Sequence, residues 1–328
     1  MKVKNYTLSI KKYNDAYICA TQVNRDKKQF KAGVYDQSGK LISEALRQDC
    51  DYSAQEHFTQ IDKGLIADSA YKNVKKLKGY YIYLGFYTEH YGHFLLETLS
   101  RIWAVKDPTN YDGFIFNNFV LPRKSDELTS FASFCFKKLG LNLDKVIILK
   151  EDTLVDELTV PNAQCYILNK VHPHYINIFE RLQQDISELK ANNMRLYLSR
   201  SKLQKRKRKV VNEHKIEDVF TEYGFKVIYM EDLTIDMQLL LLANASVIAG
   251  LEGSALHNCL FMKHGTKVIN ICGVREPKRI KPNQVMCNEL NNIESICIPF
   301  LGQVVNERKL VTRFDIPHLR RCLRKLNF

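Results

Sequence analysis

The sequence predicts an α/β protein of two domains, and two observations lead to that prediction. From about residue 79, short apolar runs alternate with segments of helical periodicity, which is the pattern of parallel strands joined by helices. The chain has 328 residues, and a typical domain has about 150. Its 45% apolar and 26% charged residues are the balance of a globular chain with a sizeable core, so a disordered or fibrous protein is excluded.

The N-terminal domain is predicted to span residues 1–190. Its first part, up to about residue 60, holds short β-rich runs and turn residues, with a hairpin turn at 36–39, so we expect an N-terminal antiparallel β meander. The apolar segment 80–87 then predicts a strand, and a helix is expected over 90–103. Further elements follow in this order: a strand at 113–121, a helix near 125–139 and a strand at 145–150.

Residues 191–328 are predicted to form the second domain, in which strands and helices alternate as β-α-β-α-β-α-β with right-handed crossovers. Asn212 and Thr234 are expected to cap the first two helices, and Gly224 to end the first. The last helix, 316–328, carries apolar residues on one side and arginine and lysine elsewhere. We expect it to pack back on the N-terminal domain, with binding to an anionic lipid surface as the alternative.

Charge and cysteine content restrict the partners and the compartment. A formal net charge of +13 favours anionic partners, among them sugar nucleotides, polyphosphates, nucleic acids and acidic membranes. Nine scattered cysteines without a CxxC pair indicate reduced thiols, not a disulfide scaffold or a zinc ribbon. Since the sequence has neither an apolar signal segment nor the ~18 apolar residues of a membrane span, we expect a cytosolic protein.

The helix predicted after the first apolar strand carries a cluster of ionisable residues. At about 100° per residue, four side chains fall within about 80° of one another, and apolar residues occupy the opposite side. The start of this helix is expected at the carboxyl edge of the sheet, where open α/β folds bind ligands. A solvated face with an ion pair between Glu97 and Arg101 is the structural alternative, but two histidines in the first turn favour a functional site. The four residues are His90, His93, Glu97 and Arg101.

A second candidate site is the basic segment at 200–209, in which seven of ten residues are lysine or arginine. It lies between a strand end and a helix start; helix N-termini bind phosphate, and arginine adds bidentate contacts. The segment lacks the interleaved aromatic residues of single-strand binders, so a nucleic-acid partner is disfavoured. A diphosphate bound by Arg200 and Arg208 is preferred over a merely solvated loop.

The third candidate is the turn 249–258 between a strand and the next helix. Gly250 and Gly253 let the main chain approach a ligand, and Ser254 is expected to cap the helix whose N–H groups face a phosphate. Glu252 can accept a hydrogen bond or a proton from a sugar hydroxyl. A turn with only a packing role is the alternative.

Three blocks of sequence resemble glycosyltransferase family 61. They are YGHFLLETLSRIWAV, RLYLSR with the later VVNE, and the run from GFKVIYM to TKVINI, and they span roughly residues 79–271. The resemblance implies a GT-B-like fold of two Rossmann-type domains facing a central cleft, the first on the acceptor side and the second binding the nucleotide sugar. It also implies inversion at the anomeric carbon, with no cofactor and no essential metal.

The resemblance implies site residues in all three blocks. The first block contributes His93 and Glu97, with Arg101 beside them. Glu252 stands where many members of the family have His, so either a carboxylate takes over the role of that His or the role has moved to another residue; His257 stands where Thr is common. The residues carried over for donor binding are Ser199, Arg200, Asn212, Glu213, Gly253, Ser254 and Asn258.

The sequence therefore predicts an inverting glycosyltransferase that builds a bacterial surface polysaccharide by one displacement. The general base is His93, Glu97 or Glu252, and His93 oriented by Glu97 is ranked first. We expect a UDP-sugar donor, a glycan or lipid-linked saccharide acceptor, no metal, no nucleic acid, and peripheral contact with the inner face of the cell membrane. A catalytically silent subunit that binds sugar nucleotides or glycans is the alternative.

Overall fold

The structure is a mixed α/β fold, which confirms the predicted class. It divides into two compact units, Lys2–Leu182 and Gln183–Phe328, close to the predicted domain boundary. The GT-B-like arrangement of these units stays a prediction. The computed structural model describes residues 2–24, 29–47, 59–61, 74–118, 127–186, 193–203 and 209–326.

The N-terminal unit is built around a mixed sheet. Its described strands are β1 (Lys2–Val3), β2 (Ile10–Asn24), β3 (Gln29–Tyr35), β4 (Thr59–Ile61), β5 (Lys75–Tyr87), β6 (Gly113–Asn118), β7 (Val146–Leu149), β8 (Thr153–Pro161), β9 (Cys165–Tyr166) and β10 (Lys170–Val171). Its described α-helices are α1 (Tyr91–Leu96), α2 (Ser130–Lys138) and α3 (Ile176–Gln183). Seven strands form the main sheet in the order β4-β3-β2-β8-β5-β6-β7, and β1, β10 and β9 form a small second sheet.

In the described part of the chain, the expected N-terminal antiparallel β meander is found only in the pair β2 and β3. β2 pairs antiparallel with β3, but its other edge pairs with β8, and β3 pairs with β4 in parallel. The alternation of short apolar runs predicts strands without fixing which strands pair. The predicted turn at 36–39 is confirmed, because the Asp36 carboxylate accepts the N–H groups of Ser38 and Lys40 at 2.9 and 3.0 Å.

β5 positions the first helix. It lies between β8 and β6, parallel to both, and its residues from Tyr81 to Tyr87 are buried, as in a strand covered on both faces. Because α1 starts at Tyr91, directly after the loop that ends β5, its first turn lies at the carboxyl edge of the sheet. This placement was predicted from the sequence.

The helix predicted over 90–103 is interrupted in the structure. α1 ends before Glu97, and the 3-10 segment Thr98–Ala104 follows it. The Thr98 hydroxyl donates to the Phe86 carbonyl at 2.8 Å, which ties the segment back to the end of β5. Hydrogen bonds from a side chain to the main chain compete with the helical ladder, so the chain leaves the α-helical path at Glu97.

The C-terminal unit contains a doubly wound sheet. Its described strands are β11 (Met194–Leu198), β12 (Lys226–Ile228), β13 (Ala245–Leu251), β14 (Lys267–Ile271), β15 (Glu294–Ile298), β16 (Gly302–Asn306) and β17 (Val311–Phe314). Its described α-helices are α4 (Glu213–Glu222), α5 (Ile235–Ala243), α6 (Pro282–Leu290) and α7 (Ile316–Lys325). Five parallel strands have the order β12-β11-β13-β14-β15, and β16 and β17 form an antiparallel pair.

The strand order defines a switch point in this sheet. The chain starts at β11, adds β12 on one side and then β13 to β15 on the other, so its direction reverses between β11 and β13. Sheets of this order bind ligands at the reversal, outside the carboxyl ends of the strands. The loops after β11 and β13 are therefore the expected ligand loops.

The predicted helix ends are confirmed at two positions and wrong at two. Thr234 caps α5 by accepting a main-chain N–H at 3.3 Å, and Gly224, with φ of +78°, follows the end of α4. Asn212 precedes α4 but does not cap it, because its amide is bonded to β17. Ser254 does not cap a helix either; it opens the 3-10 segment Ser254–Phe261, where an α-helix was expected.

The last helix packs within the C-terminal unit. Leu319 and Leu323 of α7 are buried in one core with Val219 and Phe220 of α4. Cys322 and Leu326 contact the same core. The apolar side of α7, which was expected to pack on the N-terminal domain, is therefore covered by residues of its own unit.

Candidate active site

A buried carboxylate at the end of α1 joins a histidine and an arginine. The Glu97 Oε2 atom contacts the His93 Nδ1 atom, one helical turn earlier. The Glu97 Oε1 atom accepts a hydrogen bond from the Arg47 Nε atom at 2.5 Å. Glu97 and Arg47 are only 6% and 5% exposed, whereas the His93 ring is partly open to solvent. The structure thus brings together the predicted pair His93 and Glu97 and adds Arg47.

The electrostatics of this cluster fix the proton on the histidine. Burial acts to raise the pKa of Glu97, but the charges of Arg47 and His93 outweigh it and lower this pKa to about 2. An ionised carboxylate only accepts hydrogen bonds, so the proton shared with it belongs to Nδ1 of His93. When the ring carries a single proton, that proton is therefore on Nδ1, and Nε2 is the nitrogen that can take up a second one.

Arg101 lies apart from this carboxylate, so the alternative ion pair between Glu97 and Arg101 is wrong. Its Nε atom donates to the Pro161 carbonyl at 3.0 Å, and Nη2 donates to the carbonyls of Glu44 and Leu46 at 2.9 and 2.7 Å. The change of helix type at Glu97 redirects Arg101 away from the face on which it was predicted. The contacts of Arg101 make it a brace between three segments of the main chain.

His90 lies at the start of α1, at the carboxyl end of β5. Its ring is exposed, and its centroid is 5.0 Å from the His93 ring at an interplanar angle of 69°. His90 occupies the cap position of α1 without capping it through its side chain. It remains beside His93, as the sequence predicted.

A second cluster forms at the switch point of the C-terminal sheet. Arg200 follows β11, and Glu252 and Gly253 follow β13. The Arg200 Nη1 atom donates to the Glu252 carbonyl at 3.3 Å. A Cβ atom on Gly253 would lie 3.0 Å from the same nitrogen, so the missing side chain lets the guanidinium lie against the main chain. The second and third predicted sites are thus parts of one cluster.

Three predicted donor-binding residues hold the loops of this cluster. The Ser199 hydroxyl donates to Glu217 Oε1 at 2.5 Å, and the Arg200 N–H donates to Glu213 Oε1 at 2.8 Å. Asn212 exchanges hydrogen bonds with the N–H and C=O groups of Phe314, both at 2.9 Å. These contacts give Ser199, Asn212 and Glu213 a positioning role, and their predicted contact with a donor stays a prediction.

The carboxylate of Glu252 is bonded on both oxygens. Oε1 pairs with the Lys281 Nζ atom at 2.8 Å, and Oε2 accepts the Gly273 N–H at 3.3 Å. Glu252 is 6% exposed. To accept a proton, Glu252 would have to give up the ion pair with Lys281, so a role in holding the loops fits its surroundings better.

A pocket opens beside these loops, entirely within the C-terminal unit. Arg200 and Arg275 supply positive charge to its wall, and Glu252 supplies the carboxylate. Phe300 and Phe314 contribute aromatic surface. The two arginines suit an anionic group.

The remaining predicted residues follow Gly253 in the chain or lie outside the described residues. The His257 Nδ1 atom lies 2.8 Å from Gln284 Oε1 of α6, and Asn258 is buried at 3% exposure. Ser254 is half-buried at the start of its 3-10 segment. Arg208 lies outside the described residues, so its predicted contact with a phosphate stays a prediction.

Sequence reasoning missed Arg47, Arg275 and Lys281. Arg47 had no signal, because it stands in an irregular segment with no neighbouring ionisable cluster. Arg275 and Lys281 both lie in the loop between β14 and α6, so attention to every loop after a parallel strand would have found them.

The described residues offer little that would bind a metal or cross a membrane. In the part of the chain that the structure describes, no group of three or more His, Cys, Asp or Glu side chains is placed to hold a metal ion. The predicted independence of metal stays a prediction. None of the described helices has the length and hydrophobicity that a membrane crossing needs.

The fold and the site define an α/β protein with a ligand pocket at the switch point of a parallel sheet. The sequence model of the family described as Glycosyltransferase 61 matches residues 91–269, more than half of the chain. The protein therefore belongs to glycosyltransferase family 61 and is a glycosyltransferase. No match was found among curated proteins. A glycosyltransferase takes a nucleotide sugar and an acceptor as substrates.

Proposed function

We propose that this glycosyltransferase moves a sugar from a nucleotide-sugar donor to a hydroxyl of a growing bacterial surface polysaccharide. The reaction is a single displacement that inverts the anomeric carbon and needs no metal. The observation that carries the proposal is the contact between His93 and the buried carboxylate of Glu97 at the carboxyl end of β5, since it prepares a base for an acceptor hydroxyl.

His93 is the general base in this proposal. An acceptor hydroxyl is a weak acid and needs a base within hydrogen-bond reach while it attacks. Nε2 of His93 accepts its proton, and Glu97 then stabilises the positive ring. With a pKa of about 2, Glu97 itself is too weak a base at neutral pH.

The switch point of the C-terminal sheet is the proposed donor site. The leaving nucleoside diphosphate gains negative charge, which the Arg200 guanidinium and the N–H groups at Gly253 and Ser254 stabilise. The pocket beside Arg200 adds Arg275 and the partly exposed Phe300, which supports an anionic ligand that carries a planar base. A UDP-sugar is the proposed donor.

The proposed acceptor is a glycan or a lipid-linked saccharide at the inner face of the cell membrane. The net charge of +13 supports this location, because anionic lipid attracts a basic protein. The same charge favours an anionic donor.

A panel of sugar nucleotides tests the proposal. The purified protein is incubated with UDP- and CMP-sugars, with and without EDTA, and released nucleotide is measured, with water as the acceptor. We expect release from a UDP-sugar that EDTA does not lower, and NMR of the freed sugar should show the inverted anomer. Loss of release in EDTA would contradict the metal-free displacement.

A catalytically silent protein would give a different result. Calorimetry would then detect nucleotide binding, while no sugar nucleotide in the panel would be cleaved. That combination would overturn the assignment of His93 as base and leave a binding role for the C-terminal pocket.

A further inference from the structure

Arg47 is a buried cation outside the segment that matches the family model. It lies near the end of the described range 29–47, whereas the family model matches residues 91–269. Its side chain is only 4% exposed, and its Nε atom donates to Glu97 Oε1 at 2.5 Å. Burying an arginine costs desolvation free energy, so the question is what its pairing with Glu97 contributes to the site.

Arg101 holds the main chain next to Arg47 in place. The Nη2 atom of Arg101 donates to the carbonyls of Glu44 and Leu46, at 2.9 and 2.7 Å. Ala45, between them, is buried. The main chain that carries Arg47 is therefore anchored within the fold by Arg101.

The charged and the neutral form of Glu97 would favour opposite tautomers of the neutral His93 ring. A charged Glu97 accepts the proton of His93 Nδ1 and leaves Nε2 as the basic nitrogen. A neutral Glu97 carries a proton of its own and donates it to Nδ1, and the proton of the neutral ring then sits on Nε2. In that second state His93 has no nitrogen available to take a proton from an acceptor.

We propose that Arg47 is a positioning residue that keeps Glu97 charged and thereby holds His93 in the tautomer with a basic Nε2 atom. This inference rests on the proposed role of His93 in the reaction. Among the described residues, the charged and titratable groups that interact with Glu97 include Arg47, His93 and the Cys165 thiol. Among the influences that lower the pKa of Glu97, the charge of Arg47 is the largest, and burial opposes it.

The first test measures kcat and KM of Arg47→Gln, which removes the charge, and of Arg47→Lys, which keeps it. Lys106→Gln is the control, because it removes an exposed positive charge from the same unit. We expect Arg47→Gln to lower kcat by about tenfold or more with the donor KM nearly unchanged, since base catalysis contributes about 10² to 10⁴. Arg47→Lys restores part of kcat because it restores the charge. Wild-type kcat in a folded Arg47→Gln protein would overturn the inference.

The second test reads the tautomer directly and does not need turnover. Nitrogen-15 NMR of the imidazole, assigned by comparison with His93→Gln, distinguishes protonated Nδ1 from protonated Nε2. We expect protonated Nδ1 in the wild-type protein and a shift toward protonated Nε2 in Arg47→Gln. If the wild type releases no nucleotide but shows this tautomer change, the proposed function fails and the positioning role stands; an unchanged tautomer overturns the positioning role alone.

A double variant covers the case in which Arg47→Gln does not fold. Glu97→Gln with Arg47→Gln removes both charges of the ion pair, so neither is left buried without its partner. If Arg47 acts through Glu97, the double variant has the same kcat as Glu97→Gln alone. A further tenfold loss in the double variant would show that Arg47 acts by another route.

Discussion

The Arg47 Nε atom and the Glu97 Oε1 atom lie 2.5 Å apart although the two residues are 50 positions apart in the chain. The contact joins an irregular segment near the N-terminus to the end of α1. It turns a carboxylate that burial alone would neutralise into a charged partner for His93. The state of the candidate base is therefore set by the tertiary fold and not by α1 alone.

This ion pair predicts an acid-dependent loss of stability. The pKa of Glu97 is lowered from 4.5 to about 2 in the folded protein, so its contribution is fully present above about pH 5 and is lost as the pH falls toward 2. The contribution is on the order of 3 kcal/mol. Urea unfolding between pH 2 and pH 7, compared with Glu97→Gln, measures it, and equal pH dependence in the two proteins would contradict the lowered pKa.

The contact between His93 and Glu97 was predictable because both residues lie within one helical turn, and helical spacing is local information. The same helical spacing gave a wrong position for Arg101, because the Thr98 side chain bonds to the end of β5 and the chain leaves the α-helix there. Arg47 could not be predicted at all. Its pairing depends on which strands neighbour one another, and short apolar runs do not encode that.

In the C-terminal unit, the alternation of strands and helices was sufficient to predict the parallel sheet. The loops after β11 and β13 lie at one edge of that sheet, because parallel strands end on the same side. What could not be predicted is that Arg200 would lie against Gly253, since that contact requires β11 and β13 to be neighbours. For the same reason Lys281 was not recognised as the partner of Glu252.

Replacement of His93 by Ala is expected to lower turnover at least about a hundredfold, because general-base effects are typically 10² to 10⁴. Nucleotide affinity should change little, since His93 lies in the N-terminal unit and the proposed donor site in the C-terminal one. Turnover is measured by nucleotide release, with His264→Gln, a change in an exposed loop, as control. Wild-type rates in His93→Ala would remove His93 from the mechanism.

Replacement of Arg200 by Ala is expected to weaken binding of a nucleoside diphosphate by about 1.5 to 3 kcal/mol, the value of a hydrogen bond to a charged group. Calorimetric titration with UDP measures the effect, and Lys226→Ala, at an exposed position of β12, is the matched control. A thermal unfolding curve shows whether the loop after β11 still folds. Unchanged affinity in a folded Arg200→Ala protein would place the diphosphate elsewhere.

Replacement of Gly85 by Ala is expected to destabilise the N-terminal unit for two reasons. Gly85 has φ of +92°, which L side chains rarely adopt, and its added Cβ would lie 2.8 Å from the Arg101 Nη1 atom. The backbone conformation alone costs about 1 to 2 kcal/mol, and displacing Arg101 disturbs the brace that holds the segment before Arg47.

Gly265→Ala is the control for the backbone effect. Gly265 has φ of +75°, and an added Cβ would meet nothing within 4 Å, so only the conformational cost applies. Urea unfolding of both variants separates the two contributions. The brace predicts a larger loss for Gly85→Ala, accompanied by a drop in turnover that Gly265→Ala does not show. Equal losses of stability with turnover retained in both would mean that the position of Arg101 does not control the carboxylate at Glu97.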